Sequence, residues 1–512
     1  MSRTLSLIFL ITLIISGEKQ VSAQADPPLR LEFPVYDDSQ PYQVISCGNK
    51  GVLLFYPVRK EPENKTTYWT FKLFDQNLRE VYTREFPLGE EYEFVFRRSG
   101  SDTLLLGFQD SGKKGSQKKI TTLLLEINQG VIRSFEAVLA EKGNLVDGCL
   151  LPDGILLSYK TKDDISGILI NTFGEPSARE LIPEPGVKTF IHSIIPSEQR
   201  GEFTIVFETF TSKKHSVFKL ARYNINGTEI HKTAIDIGNP QYLLNELVPV
   251  PLGEKQILLL GAYSNQASRT FTETENKAGE STGFFSSLME GQQLKEARFY
   301  NFLDFKNFFN KMRGNQAIFD SRNIRKDQEL SSDYRLLIHD VIRKDQEFIL
   351  VAEAYYPEYH TVTNWTYDYY GHMVPHYYTV FDGYRYNNVF ICAFDTSGRM
   401  LWDNSMEISN ILTMSLKKRI NLIFDEKEII LAYLTDGKIG SKVISRDQTL
   451  DGIEYVSIEL PDSFDRVVSN KEGNLTRWYD NYLLAYGYQE IKNVRRNDGK
   501  REVFYLNKIV FK

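Results

Sequence analysis

Short runs of apolar residues recur along the chain after residue 30, and polar turns separate them. Each repeat has an apolar run, a polar turn, a second apolar run that closes on an Asp, Asn or Gly turn, and a segment of alternating character. Short apolar runs bounded by turn residues are typical of strands that are buried on both faces. The pattern therefore predicts an all-β chain.

The repeat recurs at intervals of roughly 50 residues. Its paired segments span residues 51–58 and 68–86, 103–108 and 120–139, 154–159 and 168–182, 203–210 and 217–237, 256–263 and 283–302, 347–356 and 389–408, 428–434 and 439–460, and 481–488 and 503–512. Such a period indicates a β-propeller, because a sheet with two apolar faces is stable only when neighbouring sheets cover it. We expect eight blades, or seven if one pair of units is irregular.

The two ends of the chain support closure of the ring. The last unit ends after its third strand, and an isolated strand at residues 29–36 precedes the first unit. Placed on the outer edge of the last unit, this strand would close the ring and cover an exposed edge. The pattern predicts one propeller domain over residues 26–512. Two separate β domains, a sandwich and a half-propeller, are the alternative.

One turn carries a resemblance to a known family. Residues 393–402 (AFDTSGRMLW) end a strand with Asp395, turn through Gly398 and place Trp402 on the next strand. This segment resembles the repeat of the quinoprotein (PQQ-type) propellers, and residues 224–227 are a looser copy. The resemblance implies the propeller fold. It does not extend to quinone chemistry, because the chain has four tryptophans and most units lack one; no cofactor is expected.

Two segments, residues 301–331 and 356–388, interrupt the repeat as insertions. In the first, apolar side chains at helical spacing predict a short amphipathic helix over residues 301–313. These side chains are Phe302, Phe305, Phe308, Phe309 and Met312. The second is a long excursion between two strands of the sixth unit. Residues 355–386 contain ten tyrosines, together with three of the seven histidines.

The tyrosine-rich excursion is the candidate binding site. Tyr and Trp combine rigid apolar area with a polar group, which suits contacts with proteins and sugars. The residues that we expect to make such contacts are Trp365, Tyr367, Tyr369, Tyr370 and His372. The alternative is that the excursion packs on the helix at 301–313 as a local cap, and the two interpretations are compatible.

The usual catalytic and metal-binding motifs are absent from the sequence, so no catalytic residue is assigned. His372 and His376 are four residues apart, but Pro375 prevents them from converging on a metal as they would on a helix. We expect no metal site. His192 and His339 occupy equivalent places in two predicted first strands, where hydrogen-bonded core histidines are the favoured interpretation.

Residues 1–25 are predicted to be a secretory signal peptide, with Arg3 before an apolar run at 5–16 and small residues at two candidate cleavage sites. The run is too short for a transmembrane helix, so we expect export without stable membrane insertion, to the periplasm, the cell surface or the extracellular space. Three widely spaced cysteines favour buried free thiols, and one disulfide remains open.

With 61 basic and 67 acidic residues, the chain has a net charge of −6, which argues against nucleic-acid binding. The sequence favours a secreted, non-catalytic propeller that acts as a binding or scaffold module for a protein or glycan partner. The alternative is a carbohydrate-active or other hydrolytic enzyme with an axial pocket, which requires carboxylates that converge at the centre of the ring.

Overall fold

A computed structural model describes residues 29–35, 42–59, 65–111, 117–139, 143–175, 177–197, 199–212, 215–253, 255–265, 280–307, 334–425, 427–495 and 499–511. The predicted signal peptide lies outside these residues. Within them, no helix has the length and apolar character needed to cross a membrane.

The first half of the described chain forms an N-terminal strand, β1 (Arg30–Pro34), and four antiparallel sheets. Sheet 1 contains β2 (Gln43–Ser46), β3 (Val52–Val58), β4 (Thr66–Phe74) and β5 (Glu80–Gly89), with a 3₁₀ turn at Gly48–Lys50. Sheet 2 contains β6 (Tyr92–Ser99), β7 (Thr103–Asp110), β8 (Lys119–Glu126) and β9 (Val131–Val138). Sheet 3 contains β10 (Gly143–Leu151), β11 (Gly154–Thr161), β12 (Ser166–Thr172) and β13 (Arg179–Leu181). Sheet 4 contains β14 (Thr189–Pro196), β15 (Glu202–Ser212), β16 (His215–Asn224) and β17 (Glu229–Ala234).

The second half continues the pattern with additional short strands. Sheet 5 contains β18 (Tyr242–Pro251), β19 (Gln256–Asn265), β20 (Gly283–Glu290), β21 (Gln293–Leu294) and β22 (Arg298–Asn301). Sheet 6 contains β23 (Arg335–Ile338), β24 (Ile342–Lys344), β25 (Glu347–Tyr367), β26 (Met373–Phe394), β27 (Met400–Glu407) and β28 (Leu412–Thr413). Sheet 7 contains β29 (Asn421–Phe424), β30 (Ile429–Thr435), β31 (Lys438–Ser445) and β32 (Gln448–Ser457). Sheet 8 contains β33 (Asp465–Arg477), β34 (Tyr482–Asn493) and β35 (Lys500–Val510), with β1 on its outer edge.

The apolar core of the described residues lies between the sheets. Its buried clusters each join two successive sheets, as in the cluster that contains Phe71 of sheet 1 and Phe108 of sheet 2. A further cluster joins sheet 8 to sheet 1 and includes Leu484 and Val52. Each sheet is thus covered on both faces by its neighbours, which is the arrangement that the doubly apolar strands require. The prediction of an all-β propeller is confirmed.

The N-terminal strand joins sheet 8 as the sequence predicted. β1 pairs antiparallel with β35 over five residue pairs, from Arg30 opposite Asn507 to Pro34 opposite Val503. The Trp478 indole N–H donates to the carbonyl of Gly51 at 3.0 Å, which ties sheet 8 to sheet 1 directly. The N-terminal strand therefore covers the outer edge of the last sheet, beside a contact between the two ends of the chain.

The turn that carries the quinoprotein resemblance is held by its own aspartate. Asp395 Oδ1 accepts hydrogen bonds from the backbone N–H groups of Ser397 and Arg399, both at 2.9 Å, and Gly398 has a φ of 82°. Trp402 is buried between sheets 6 and 7, and its indole N–H donates to Glu347 at 3.0 Å. Asn224 makes the same pair of bonds in sheet 4. Self-capping Asx turns of this kind join the third and fourth strands.

Of the helix expected at residues 301–313, only a helical start at Lys306 and Asn307 falls within the described residues. Residue 301 ends strand β22, and Phe302–Asp304 form a 3₁₀ turn. Phe302 and Phe305 are buried between sheets 5 and 6, where Phe302 stacks on Phe390 at 4.6 Å. Their spacing thus reflects insertion into the core rather than one face of a surface helix. Phe308, Phe309 and Met312 lie outside the described residues.

Candidate functional site

The tyrosine-rich segment forms a β-hairpin rather than a loop. The neighbouring strands of sheet 6 end early: β23 pairs with β25 no further than Tyr355, and β28 pairs with Tyr384 and Arg385 of β26. Beyond this point β25 and β26 continue as a two-stranded ribbon, which we call the hairpin arm (residues 356–383). Its outer nine residue pairs, Tyr359–Tyr367 with Met373–Phe381, correspond to a length of ~30 Å.

One side of the hairpin arm carries five aromatic side chains among ten residues, with three threonines, Met373 and Pro375 beside them. Residues that lie opposite each other in an antiparallel ladder share a face, and the side chains alternate along each strand. The ladder places Tyr359 opposite Phe381, Thr363 opposite Tyr377, Trp365 opposite Pro375 and Tyr367 opposite Met373 on the same face. We call Tyr359, Trp365, Tyr367, Met373, Tyr377 and Phe381 the aromatic face. Trp365 is 55% exposed and Tyr367 is 73% exposed.

The aromatic face is continuous with the core of the molecule. Tyr355 and Tyr386, which oppose each other on the same face nearer the ring, are buried between sheets 6 and 7. Outward from them, Tyr384 packs edge-on against Phe381 at 5.0 Å, and Phe381 contacts Tyr359 at 5.4 Å. The aromatic rings therefore run from the core onto the exposed ribbon, which anchors the arm on one side.

The opposite face of the arm is more polar. It carries His360, Asn364, Thr366 and His376, together with Val362, Val374, Tyr378 and Val380. His360 Nδ1 lies 2.5 Å from Asp382 Oδ1, and Asp382 is the extra residue of a bulge in β26. The two faces of the arm thus differ in chemistry although they belong to the same two strands.

The tip of the arm is a pre-formed turn. Asp368 Oδ1 accepts hydrogen bonds from the backbone N–H groups of Tyr370 at 2.9 Å and His372 at 2.8 Å, and Gly371 has a φ of 78°. This is the turn that Asp395 makes on the same sheet. It presents Tyr369 and Tyr370 to solvent, where they are 96% and 80% exposed. Two large rings are therefore held in fixed backbone positions at the end of the arm.

An ion pair fixes the base of the arm. The Arg385 guanidinium binds both carboxylate oxygens of Glu358 across the two strands, with Nη2 2.9 Å from Oε1. The hydrogen bond from Arg385 lowers the pKa of Glu358 below its usual value. Planar two-point pairing of this kind also fixes the relative orientation of the strands.

The structure distributes the five predicted site residues over two parts of the arm. Trp365 and Tyr367 belong to the aromatic face, whereas Tyr369, Tyr370 and His372 lie in the tip turn. Tyr359, Met373 and Tyr377 share the face with Trp365 but are not among the residues that the sequence predicted for the site. Their place on that face follows only from the pairing register of the two strands. Recognising the segment at Asp368 as a hairpin turn would have given this register from the sequence.

The two histidines of the first strands are each paired with a glutamate. His339 Nε2 lies 2.6 Å from Glu353 Oε1, and His192 Nε2 lies 3.2 Å from Glu208 Oε2. Glu353 is fully buried and also accepts hydrogen bonds from the backbone N–H groups of Arg419 and Ile420, at 2.7 and 2.9 Å. At sheet 6, therefore, the pair ties one sheet to the next, as expected for hydrogen-bonded core histidines.

The remaining candidate ligands do not come together in the described residues. No group of three or more His, Cys, Asp or Glu side chains there has the geometry to hold a metal ion. All three cysteines are free, and burial raises the pKa of Cys47 and Cys149 to about 11 and that of Cys392 well above its usual value.

No protein-family model matches the sequence, and no curated protein matches it. Among solved structures, Sqt1 of Saccharomyces cerevisiae is similar with a TM-score of 0.40 and 9% identity, over 92% of this chain and 97% of that one. The β-propeller domain of the Trilobed protease from Pyrococcus furiosus has a TM-score of 0.35 and 10% identity, over 82% and 94%. The polysaccharide lyase Uly1 has a TM-score of 0.34 and 9% identity, over 81% and 89%. Likenesses at this level do not bear on ligand or activity.

Proposed function

We propose that this protein is an exported binding module that holds a protein or glycan partner on its hairpin arm. The observation that carries the proposal is the exposed aromatic face, which projects beyond sheet 6 while its inner end is anchored in the core. A two-stranded ribbon is only marginally stable by itself. A ribbon that is exposed to solvent and also anchored in the core is therefore best explained by a binding role. Exposed aromatic patches are typical of interaction sites.

Rigid presentation supports the same proposal. The Asp368 turn fixes the tip, and the Arg385–Glu358 pair fixes the base. A partner that binds pre-organised rings does not have to order them first, which lowers the entropic cost of association. The arm therefore offers large contact area at low conformational cost, as Tyr-rich binding surfaces do.

The test compares three versions of the mature protein as bait against the exported or envelope fraction and on a glycan array. A shortened variant joins His360 to Val380, which face each other in the ladder, through an Asn-Gly turn. An aromatic-face variant carries Trp365→Thr, Tyr367→Thr and Tyr377→Thr, since Thr retains strand propensity. We expect both to lose a partner that the wild type retains.

The matched control changes the opposite face of the same strands, with Val362→Thr, Val374→Thr and Tyr378→Thr. It should retain the partner because the aromatic face is intact. Equal loss in both triple variants, or retention of every partner by the shortened variant, would refute the assignment of the site. If the wild type binds only on the glycan array, the partner is a sugar. If it captures a partner only from the protein fraction, the partner is a protein.

An axial hydrolase is the second candidate, and one residue favours it. Burial raises the pKa of Glu246, on the first strand of sheet 5, to about 7, a value suited to a general acid. Retaining and inverting hydrolysis both need a second carboxylate close by. Turnover of a glycan substrate that disappears in Glu246→Gln, with the hairpin arm shortened or not, would favour this candidate over the binding module.

A further inference from the structure

A cavity of about 160 Å³ lies at the junction of sheets 8 and 1. The first strands of three sheets contribute to its wall, with Gln43 from sheet 1, Arg97 from sheet 2 and Asn474 from sheet 8. Lys417, in the segment that enters sheet 7, lies on the same wall. Since first strands surround the axis of a propeller, the cavity is on the axial side of the closure. None of its lining residues belongs to the hairpin arm.

A pair of glycines lets the backbones of β33 and β34 approach each other closely beside the cavity. Gly473 of β33 and Gly487 of β34 oppose each other in the ladder, next to a bulge that contains Glu472. A Cβ added to Gly487 would lie 2.2 Å from the carbonyl oxygen of Glu472. Any side chain there would displace the bulged strand, so the shape of the cavity depends on glycine at this position.

The charged groups on the wall are not neutralised by each other. Arg97, Lys417 and Glu472 form no salt bridge with any residue that the structure describes. Arg97 Nη1 donates to the carbonyl of Val44 at 2.8 Å, and the guanidinium also hydrogen-bonds the Tyr486 hydroxyl, which orients it while further N–H groups stay available as donors. Burial raises the pKa of Tyr486, and its neighbours Arg97 and Arg419 oppose that shift. The wall thus carries two cations and one carboxylate around a neutral phenol.

Aromatic rings also line the cavity. Tyr42 stacks on Phe504 with a centroid distance of 4.6 Å, and Tyr488 packs against Phe504 at 5.0 Å. Asn474, which also lines the cavity, accepts a hydrogen bond at Oδ1 from Arg419 at 2.7 Å, which leaves its amide N–H₂ as a donor. A lining that combines aromatic rings with charged and amide groups matches a ring whose faces are apolar and whose rim is polar.

We propose that this cavity binds one acidic sugar ring, with the ring against Tyr42 and Phe504 and its carboxylate between Arg97 and Lys417. The volume is close to that of a cavity known to hold benzene, ~150 Å³, and so suits the six-membered ring itself, with its substituents directed towards the exposed Lys417 and Glu472. Arg97 is half-buried and supplies the stronger pairing for the carboxylate, whereas Lys417 is exposed and adds a solvent-screened one. Asn474, Gln43 and Glu472 supply donors and acceptors for ring hydroxyls, which an aromatic acid would not use.

The test measures binding of D-glucuronate and D-galacturonate by ligand-observed NMR and calorimetry, with glucose and benzoate as comparison ligands. At least one uronate should bind about tenfold or more tightly than glucose and benzoate. Lys417→Gln should weaken the binding of that uronate by about threefold, because the lysine is exposed and its pairing is screened by solvent. Lys418→Gln is the matched control, because the neighbouring lysine faces Asp340 instead, at 3.5 Å.

Three results would overturn the proposal: no preference for uronates over glucose, benzoate bound as tightly as the uronates, or equal weakening by the two lysine variants. The last result would indicate general attraction to basic residues. Urea unfolding of each variant verifies that the fold is retained. The variant with the shortened hairpin arm should bind uronate like the wild type, so a failure of the arm as a binding site leaves this test unaffected.

Discussion

The interior of the ring changes the chemistry of individual side chains, and Glu246 is a clear example. Its strand position is opposite Ala262, one residue beyond the bulge in β18, and burial raises its pKa to about 7 from the usual 4.5 while Lys418 opposes the shift. A carboxyl group whose pKa is higher in the folded state favours folding when it is protonated. Its contribution is complete below pH ~4.5, falls as the pH rises towards 7, and is absent above it.

We therefore expect Glu246→Gln to leave the free energy of unfolding nearly unchanged at pH 4.5 and to increase it by up to ~3 kcal/mol at pH 8. Urea unfolding at both pH values measures the difference, and Glu459→Gln, an exposed acid on a loop, is the control. A Glu246→Gln effect that is the same at both pH values would contradict the raised pKa of Glu246.

Self-capping aspartates provide a second test at this scale, because two of them make the same turn in different surroundings. Asp395 caps the turn before Trp402, which docks between sheets 6 and 7, whereas Asp368 caps the exposed tip of the hairpin arm. Asp395→Ala should lower the free energy of unfolding by about 1–2 kcal/mol. Asp368→Ala should leave it unchanged and accelerate amide hydrogen exchange at Tyr370 and His372. Equal global destabilisation by both variants would contradict a free-standing tip.

At the scale of elements, the hairpin arm is defined by its register, which places Thr363 opposite Tyr377. Opposing residues in an antiparallel ladder have Cα atoms ~4.5–5.5 Å apart, within reach of a disulfide. The native thiols should compete poorly for disulfide formation with the introduced cysteines. Burial raises the pKa of Cys47 and Cys149 to about 11, and the thiolate is the reactive form. The double variant Thr363→Cys with Tyr377→Cys should therefore cross-link under mild oxidation, with loss of two hydrogens by mass spectrometry. Thr363→Cys with Tyr378→Cys, on opposite faces, should stay reduced, and its cross-linking would contradict the register.

The same element shows where sequence patterns are uninformative. In the sheets, burial on both faces imposes continuous apolar runs, and these runs predicted the strands of the core. The arm has neither face buried along its outer part, and Pro375 interrupts it in a way that favours a loop interpretation. Proline is tolerated there because the ribbon has no further strand beside it, so the missing N–H is not needed for a ladder.

At the scale of the whole molecule, the pattern was sufficient for the propeller class and for the position of the N-terminal strand, because both follow from covering apolar faces and edges. The cavity could not be predicted. It joins Tyr42, Arg97, Lys417 and Phe504, which are brought together by ring closure and not by any local spacing. The charged residues of its wall come from distant parts of the chain, so no single segment of the sequence shows them together.

Ring closure itself gives the last prediction. β1 covers the outer edge of β35, and Arg30 lies 4.5 Å over the ring of Tyr505 and donates to Gln489 at 2.8 Å. Removal of residues 26–35 from the mature chain should lower the free energy of unfolding by about 3 kcal/mol or more, because the buried parts of Leu31 and Phe33 are lost with the ladder. The uncovered β35 should also promote self-association, since an unpaired edge strand pairs with other chains.

Urea unfolding and light scattering of the shortened and complete mature chains measure both effects. A synthetic peptide of residues 26–35 should restore the stability of the shortened chain and reverse its additional self-association by adding back the missing strand, whereas a scrambled peptide should not. If the shortened chain were as stable as the complete one, β1 would be an accessory strand, and contacts such as that between Trp478 and Gly51 would close the ring without it. Rescue by the native peptide alone would show that closure depends on the specific ladder between β1 and β35.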